Sequence, residues 1–200
     1  MAKISSRTKI IAAFIIVIAV GYGIMRFWEA ESNGVPADFN SARDQGAIIS
    51  ETIVNTATSS TLALEEINKY DQQGDYRDAL ASTTDLINQS ASLRDQAVQL
   101  STQVSDMTKD LSSISNENAR QAALESISSR LALINELISY SNDLDNLLAT
   151  LQKRFNGTPV PNGTVAGIVN QINTDVNAIN NFNAQAGQAM NQFDSIEKGQ

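Results

Sequence analysis

The sequence contains no cysteine and no histidine, and its 200 residues include only three prolines and one tryptophan. Without cysteine, the chain can form no disulfide, carries no thiol nucleophile and cannot bear a lipid on a cysteine. Without histidine, it lacks the side chain that most often serves as general base or metal ligand. Di-iron helical bundles need a Glu-x-x-His motif, so that class is excluded as well. We therefore expect no enzyme activity, no catalytic residue, no cofactor and no metal site.

Positive charge is scarce after residue 26. The chain has 14 lysines and arginines against 22 aspartates and glutamates, which gives a net charge of −8. Four of the basic residues, and none of the acidic ones, lie before residue 27: Lys3, Arg7, Lys9 and Arg26. The rest of the chain is therefore strongly acidic. Since nucleic acids are bound by basic surfaces, we expect no nucleic-acid partner.

One long apolar run is present near the N-terminus. Residues 10–25 read IIAAFIIVIAVGYGIM and contain no charged side chain. A spanning helix needs about 20 residues, with a lower limit near 17. Lys9 and Arg26 can extend their charges to the headgroups, and Phe27 and Trp28 suit the membrane interface. The run and its flanks therefore predict a transmembrane anchor that contacts membrane lipid.

The distribution of lysine and arginine sets the orientation of this anchor, residues 10–28. Basic residues precede the anchor and acidic residues follow it. By the positive-inside rule, residues 1–9 are expected in the cytoplasm. The chain from residue 29 onward is expected outside the cytoplasm, in the periplasm or at the cell surface.

A cleaved secretory signal peptide is the alternative interpretation of the same run. It has a basic start, a short apolar centre, and small residues at Ala19 and Gly21 that could form a peptidase site. The sequence leaves open whether residues 1–21 are removed. Under both interpretations the rest of the chain is exported.

Helical patterning begins after a short linker. Residues 29–37, EAESNGVPA, contain Gly34 and Pro36, which break helices, so they are predicted to separate the anchor from the domain. Residues 38–197 then follow the spacing of helices joined by short connections. The predicted helices cover residues 38–73, 75–114, 116–155 and 164–197.

The second predicted helix has the clearest repeat. Leucine at positions 86, 93 and 100, then Met107 and Ile114, recur every seven residues. Such a seam predicts packing against neighbouring helices at an angle of about 20°. Gly74 is expected just past the end of the first helix, and Asp75 is expected to cap the second.

The boundary between the second and third helices is less well marked. Residues 115–123, SNENARQAA, hold no large apolar side chain, and this favours a turn. They also contain no glycine or proline, so the alternative is one continuous helix over residues 75–155 in an extended rod or coiled coil. The predicted core stripe of the third helix begins with Leu124, Ile127, Leu131, Ile134 and Ile138.

Four helices of this length, joined by short loops, predict an all-α fold. The expected architecture is an up-down-up-down antiparallel four-helix bundle behind the single transmembrane helix. Residues 156–163, NGTPVPNG, form its one proline-rich loop, at the end far from the membrane. Exposed loops often carry function, so six residues are candidate partner contacts: Gly157, Thr158, Pro159, Val160, Pro161 and Asn162.

One short segment and the overall architecture each resemble a known family. Residues 70–80, YDQQGDYRDAL, resemble the helix-turn-helix corner of tetratricopeptide repeats, and this pattern occurs once. The anchor, the helix lengths and the seam over residues 86–114 resemble the extracytoplasmic input domain of bacterial chemoreceptors. That resemblance implies a sensor. Because no second span follows the last helix, such a sensor is expected to signal through a partner.

Taken together, these features favour a membrane-anchored structural, tethering or assembly factor that binds a protein partner or forms a homo-oligomer. The alternative is an extracytoplasmic sensor or solute-binding module. Thr83, Ser90 and Ser141, which interrupt the apolar stripes, can distinguish these two functions. In a binding module they would line a polar pocket, whereas as small residues they would let helices pack closely. An assembly factor should also leave an apolar strip on its outside.

Overall fold

The computed structural model describes residues 35–198, which form four long helices. They are α1 (Ala37–Gln73), α2 (Tyr76–Asp110), α3 (Glu117–Phe155) and α4 (Thr164–Lys198), with a short 3₁₀ turn at Leu111–Ser113. Successive helices run in opposite directions, so this part of the chain is an all-α up-down four-helix bundle. The predicted bundle is confirmed for these residues.

The alternative of one continuous helix over residues 75–155 is wrong. α2 ends at Asp110, and α3 begins at Glu117 after an intervening turn. Asn116 has an extended backbone, and its side-chain oxygen accepts hydrogen bonds from the amides of Asn118 at 2.9 Å and Ala119 at 3.2 Å. Asparagine is a strong N-cap residue, which explains how the chain turns here without glycine or proline.

Gly74 and Asp75 form the predicted corner between α1 and α2. Gly74 adopts a φ of 76°, which glycine reaches at little steric cost. Its amide donates to the carbonyl of Asp71 at 3.3 Å, and the Asp75 amide donates to Tyr70 at 3.0 Å. The Asp75 side chain then accepts from the amide of Asp78 at 3.3 Å and starts α2.

Apolar side chains from all four helices fill the interior. The seven-residue repeat of α2 is buried along its whole length, as predicted. The predicted stripe of α3 is partly wrong, since Ile127 and Ile134 are buried but Leu124 and Leu131 are exposed. α3 packs against both α2 and α4. Its buried face therefore extends round to residues such as Leu133 rather than to Leu124 and Leu131.

The helices are not packed evenly around the bundle. Helices that are consecutive in sequence approach each other closely along their backbones, whereas α1 and α4 approach less closely and meet through side chains. We call the end with the start of α1 and the end of α4 the terminal end. The opposite end, with Gly74 and the 156–163 loop, is the loop end.

The predicted membrane anchor lies outside the described residues. The same holds for the cytoplasmic flank, for most of the 29–37 linker, and for the flanking residues Lys9, Arg26, Phe27 and Trp28. None of the helices within residues 35–198 offers a stretch that is both long and apolar enough to cross a membrane. The anchor and its orientation stay predictions from the sequence.

Candidate functional site

A buried ion pair joins α1 to α4 at the terminal end. Two nitrogens of the Arg43 guanidinium donate to the two carboxylate oxygens of Asp194, at 2.8 and 2.9 Å. The Arg43 side chain is only 2% exposed, and that of Asp194 10%. The rings of Phe39 and Phe193 pack beside the pair with their centroids 5.5 Å apart. These contacts hold the two helices together where their backbones are well separated.

A second arginine, Arg130 of α3, lies buried close to the pair. Its Nε donates to the hydroxyl oxygen of Ser126 at 3.2 Å, and that hydroxyl donates to the carbonyl of Ala186 in α4 at 3.0 Å. Burial, together with the nearby charge of Arg43, lowers the pKa of Arg130 to about 9. With this pKa the Arg130 guanidinium is charged at neutral pH, so two buried cations lie close together here. We call Arg43, Ser126, Arg130 and Asp194 the polar layer.

Two carboxyl groups meet between α3 and α4, nearer the loop end. Asp175 of α4 is 2% exposed, and its Oδ1 accepts a hydrogen bond from Gln171 at 3.1 Å. Its Oδ2 is buried and has no hydrogen-bond partner. Asp143 of α3 lies beside it, and Glu136 adds a further negative charge. We call Asp143 and Asp175 the carboxyl pair.

The environment of the carboxyl pair shifts Asp175 toward its uncharged form, which predominates below its raised pKa. Burial raises the pKa of Asp175 to about 6, and the neighbouring carboxyls of Asp143 and Glu136 act in the same direction, against the hydrogen bond from Gln171. When Asp175 is protonated, its hydroxyl can donate to the neighbouring carboxyl of Asp143. A raised carboxyl pKa also occurs in general acids. Asp175, however, is only 2% exposed, and the cost of ionising a buried carboxyl bears on the stability of the fold.

The three candidate residues for a polar pocket are enclosed within the bundle. Thr83, Ser90 and Ser141 are all fully buried. The Ser141 hydroxyl donates across the interface to the carbonyl of Ser90 at 3.2 Å, and the Ser90 hydroxyl bonds Asp145 at 2.6 Å. The Thr83 hydroxyl turns back to the carbonyl of Ala79 at 2.7 Å. Their burial and these hydrogen bonds favour the interpretation that they are small residues in close helix packing.

This close contact makes a measurable prediction. Replacing Ser141 with leucine should lower the free energy of unfolding by about 1–3 kcal/mol, because the larger side chain overpacks the α2–α3 interface. Ser139 lies on the exposed face of the same helix, so Ser139→Leu is the matched control and should change stability by less than about 0.5 kcal/mol. Urea unfolding of both variants gives the two values. Equal stability of the Ser141 and Ser139 variants would show that space exists at Ser141.

The loop with the candidate partner contacts is held firmly at its first end. Just before it, the Arg154 guanidinium donates to both carboxylate oxygens of Asp71, at 2.9 and 2.8 Å. The ring of Phe155 stacks on Tyr76 with the centroids 6.0 Å apart. Five of the six candidate contacts are exposed, and Val160 is half-buried. The structure therefore places them together on one accessible loop, and their role stays a prediction.

An exposed apolar strip on α2 and α3 was missed by the sequence analysis. Val98, Leu124 and Leu131 are 56%, 45% and 41% exposed, and Ile138 beside them is half-buried. We call these four residues the apolar strip. α3 has more large apolar residues than one core face can bury. That excess was the signal in the sequence that some of them would be exposed.

The register of the two helices places the strip along one groove. Arg94 of α2 donates to Asn142 of α3 at 2.7 Å on the outer side of the interface. Val98 follows Arg94 by one turn and Leu131 precedes Asn142 by three turns, so both lie on this outer side. Leu124 is a further seven residues along α3. The strip thus follows the α2/α3 groove toward the terminal end.

A second groove, between α3 and α4, has a different character. It has a volume of about 430 Å³ and is lined mainly by amides and hydroxyls, including Gln185, Gln188 and Ser129. Within residues 35–198, no group of three or more acidic side chains is placed to hold a metal ion. The groove is an open polar surface, whereas the strip on α2 and α3 is apolar.

Comparison with known proteins adds no family to this description. The chain matches no family model, and no similarity to a curated protein or to a solved structure was found.

Proposed function

We propose that this protein is a membrane-anchored helical bundle outside the cytoplasm that acts as a structural, tethering or assembly factor. The observation that carries the proposal is the apolar strip on the outside of a bundle whose inner polar positions are closed. Ser90 and Ser141 form hydrogen bonds across the α2–α3 interface, and the buried Thr83 hydroxyl donates to the carbonyl of Ala79 in its own helix. They leave no converging polar groups for a solute at those positions, and this favours an interaction protein over a solute-binding module.

The strip has the chemistry of a protein-binding surface. Val98, Leu124 and Leu131 expose apolar side chains on a chain with a net charge of −8. Neighbouring positions on the same side of α2, Ser101 and Ser105, are uncharged. Exposed apolar patches of this kind are typical of interaction sites.

A helix is the partner that fits this groove. Two antiparallel helices leave a shallow channel between them, and the strip borders this channel at spacings of seven residues along α3. An amphipathic helix can lie in such a channel with apolar anchors at every third or fourth residue. The proposed partner is therefore a protein helix with an apolar stripe, and the predicted anchor would hold the complex at the membrane.

Site-specific photo-crosslinking tests this proposal in the full chain in its native membrane. A photoreactive side chain at Leu131 should give a discrete protein adduct. Adding the substitution Val98→Asp should reduce the adduct at least severalfold, because a charge then enters the apolar groove. Since Val98 is 56% exposed, the same substitution should change the free energy of unfolding by less than about 0.5 kcal/mol.

The matched control is Leu62 of α1, which is 60% exposed on the outside of the bundle and has the exposed polar residues Ser59 and Glu66 one turn before and after it. A photoreactive side chain there should give only diffuse products. Equal adducts from Leu62 and Leu131 would indicate random collision. A complete lack of adducts from Leu131 would argue against a partner on this face.

A further inference from the structure

The two ends of the 156–163 loop carry the same three residues, Asn-Gly-Thr. Asn156 and Asn162 are both exposed, and the glycines after them have φ values of 76° and 87°. The two copies differ in the hydrogen bond of the glycine amide. Gly157 donates to the carbonyl of Arg154 at 3.0 Å, whereas Gly163 donates no hydrogen bond within the described residues.

We propose that Asn162 is a site of spontaneous covalent modification, at which the asparagine deamidates through a cyclic imide. Asn156, in the identical triplet, is protected by the fold. Asparagine is among the thermolabile residues of proteins. The glycine that follows it has no side chain to shield the reacting backbone nitrogen.

The reaction uses only the chain and water. The backbone nitrogen of Gly163 loses its proton to a base in solvent and attacks Cγ of Asn162. A new nitrogen–carbon bond forms, the side-chain carbon–nitrogen bond breaks, and ammonia leaves after taking up a proton. Water then opens the five-membered imide at either carbonyl. The products are aspartate, or isoaspartate in which the main chain runs through the side-chain carbon.

The hydrogen bonds at the end of α3 explain the protection of Asn156. Its own amide donates to Gln152 at 3.0 Å, the Gly157 amide to Arg154, and the Thr158 amide to Lys153 at 2.9 Å. Attack by the Gly157 nitrogen requires its bond to open and the adjacent backbone to rotate. Because each such bond stabilises the folded arrangement by a severalfold factor, Asn162 should react about tenfold faster than Asn156.

The modification would irreversibly add negative charge to the loop as the protein ages. It places a new carboxylate two residues before Thr164, the first residue of α4. Negative charge near a helix N-terminus is favourable, so the product should not unfold the helix. Isoaspartate would also lengthen the backbone of the exposed loop. This inference does not depend on the proposed function.

The test follows deamidation in the purified full chain during incubation at mildly alkaline pH. Both asparagines lie in the tryptic peptide that follows Arg154, and fragment masses separate them. The expected result is a time-dependent amide-to-carboxyl mass increase at residue 162, partly as isoaspartate, with about tenfold less at residue 156. Asn33, which also precedes a glycine, lies on a different peptide and does not interfere.

The same chain in concentrated urea is the matched control. There the folded contacts are lost and the triplets are chemically alike, so the two asparagines should react at similar rates. The proposal is overturned if Asn162 is inert in the folded protein. It is also overturned if the folded protein shows the same ratio of rates as the protein in urea.

Discussion

Replacing Asp194 with asparagine is expected to lower the free energy of unfolding of the bundle by about 3–5 kcal/mol. The substitution keeps the shape of the side chain but removes its charge. The guanidinium of Arg43, 2% exposed, would then be buried without its counter-ion, with the charged Arg130 close by. Breaking a buried pair on one side is costly because the remaining charge has lost its solvent and its partner.

The Asp71–Arg154 pair at the loop end provides the control. It has the same residue types and similar distances of 2.8 and 2.9 Å, but the Arg154 side chain is 39% exposed. Asp71→Asn should therefore cost no more than about 1 kcal/mol. Urea unfolding of both variants measures the difference. A similar cost for the two variants would mean that burial does not set the strength of the Arg43–Asp194 pair.

The helices and their ends could be predicted from the sequence because their causes are local. The seven-residue repeat of α2 fixes its buried face, and Gly74 and Asp75 fix the first corner. The second turn was predicted from the lapse of the apolar pattern. Its actual cause, the capping side chain of Asn116, is also a local signal.

The polar layer could not be predicted because it depends on distant parts of the chain. Arg43 and Asp194 are separated by 151 positions, and each resembles an ordinary surface charge in the sequence. Arg43 does lie one turn after the buried Phe39, on the apolar side of α1. That position was the only sequence signal that it would be enclosed.

The apolar strip was mispredicted for a related reason. Leu124 and Leu131 fit a helical stripe with Ile127 and Ile134, and spacing alone cannot say where a broad stripe is covered. The position of α4 decides this, since it draws the buried face of α3 away from the strip. The proposed function therefore depends on a feature that only the assembled bundle reveals.

Replacing Asp175 with asparagine is expected to stabilise the bundle at neutral pH by about 1–3 kcal/mol, the second large effect. The pKa of Asp175 is raised from 3.8 to about 6, chiefly by burial. A carboxyl with a raised pKa binds its proton more tightly in the folded state than in the unfolded state. As pH rises from 4 to 6, unfolding therefore becomes easier, and above 6 the full cost of the buried charge is present.

The pH dependence of stability distinguishes the removal of a buried charge from a simple improvement in packing as the cause of the stabilisation. The charged groups that act on Asp175 are Asp143 and Glu136 of α3, and within the described chain no cation offsets them. Asparagine cannot ionise, and its amide can donate to Asp143. The stability of the variant should thus exceed that of the wild type above pH 6 and approach it below pH 4, in urea unfolding measured across this range.

Asp85, an exposed carboxylate of α2, is the control for the loss of one negative charge. Asp85→Asn should change stability by less than about 0.5 kcal/mol at every pH. A constant difference between the Asp175 variant and the wild type across the range would place its origin in packing. A less stable variant at neutral pH would mean that the ionised carboxylate of Asp175 is favourable in the fold, contrary to its burial beside Asp143.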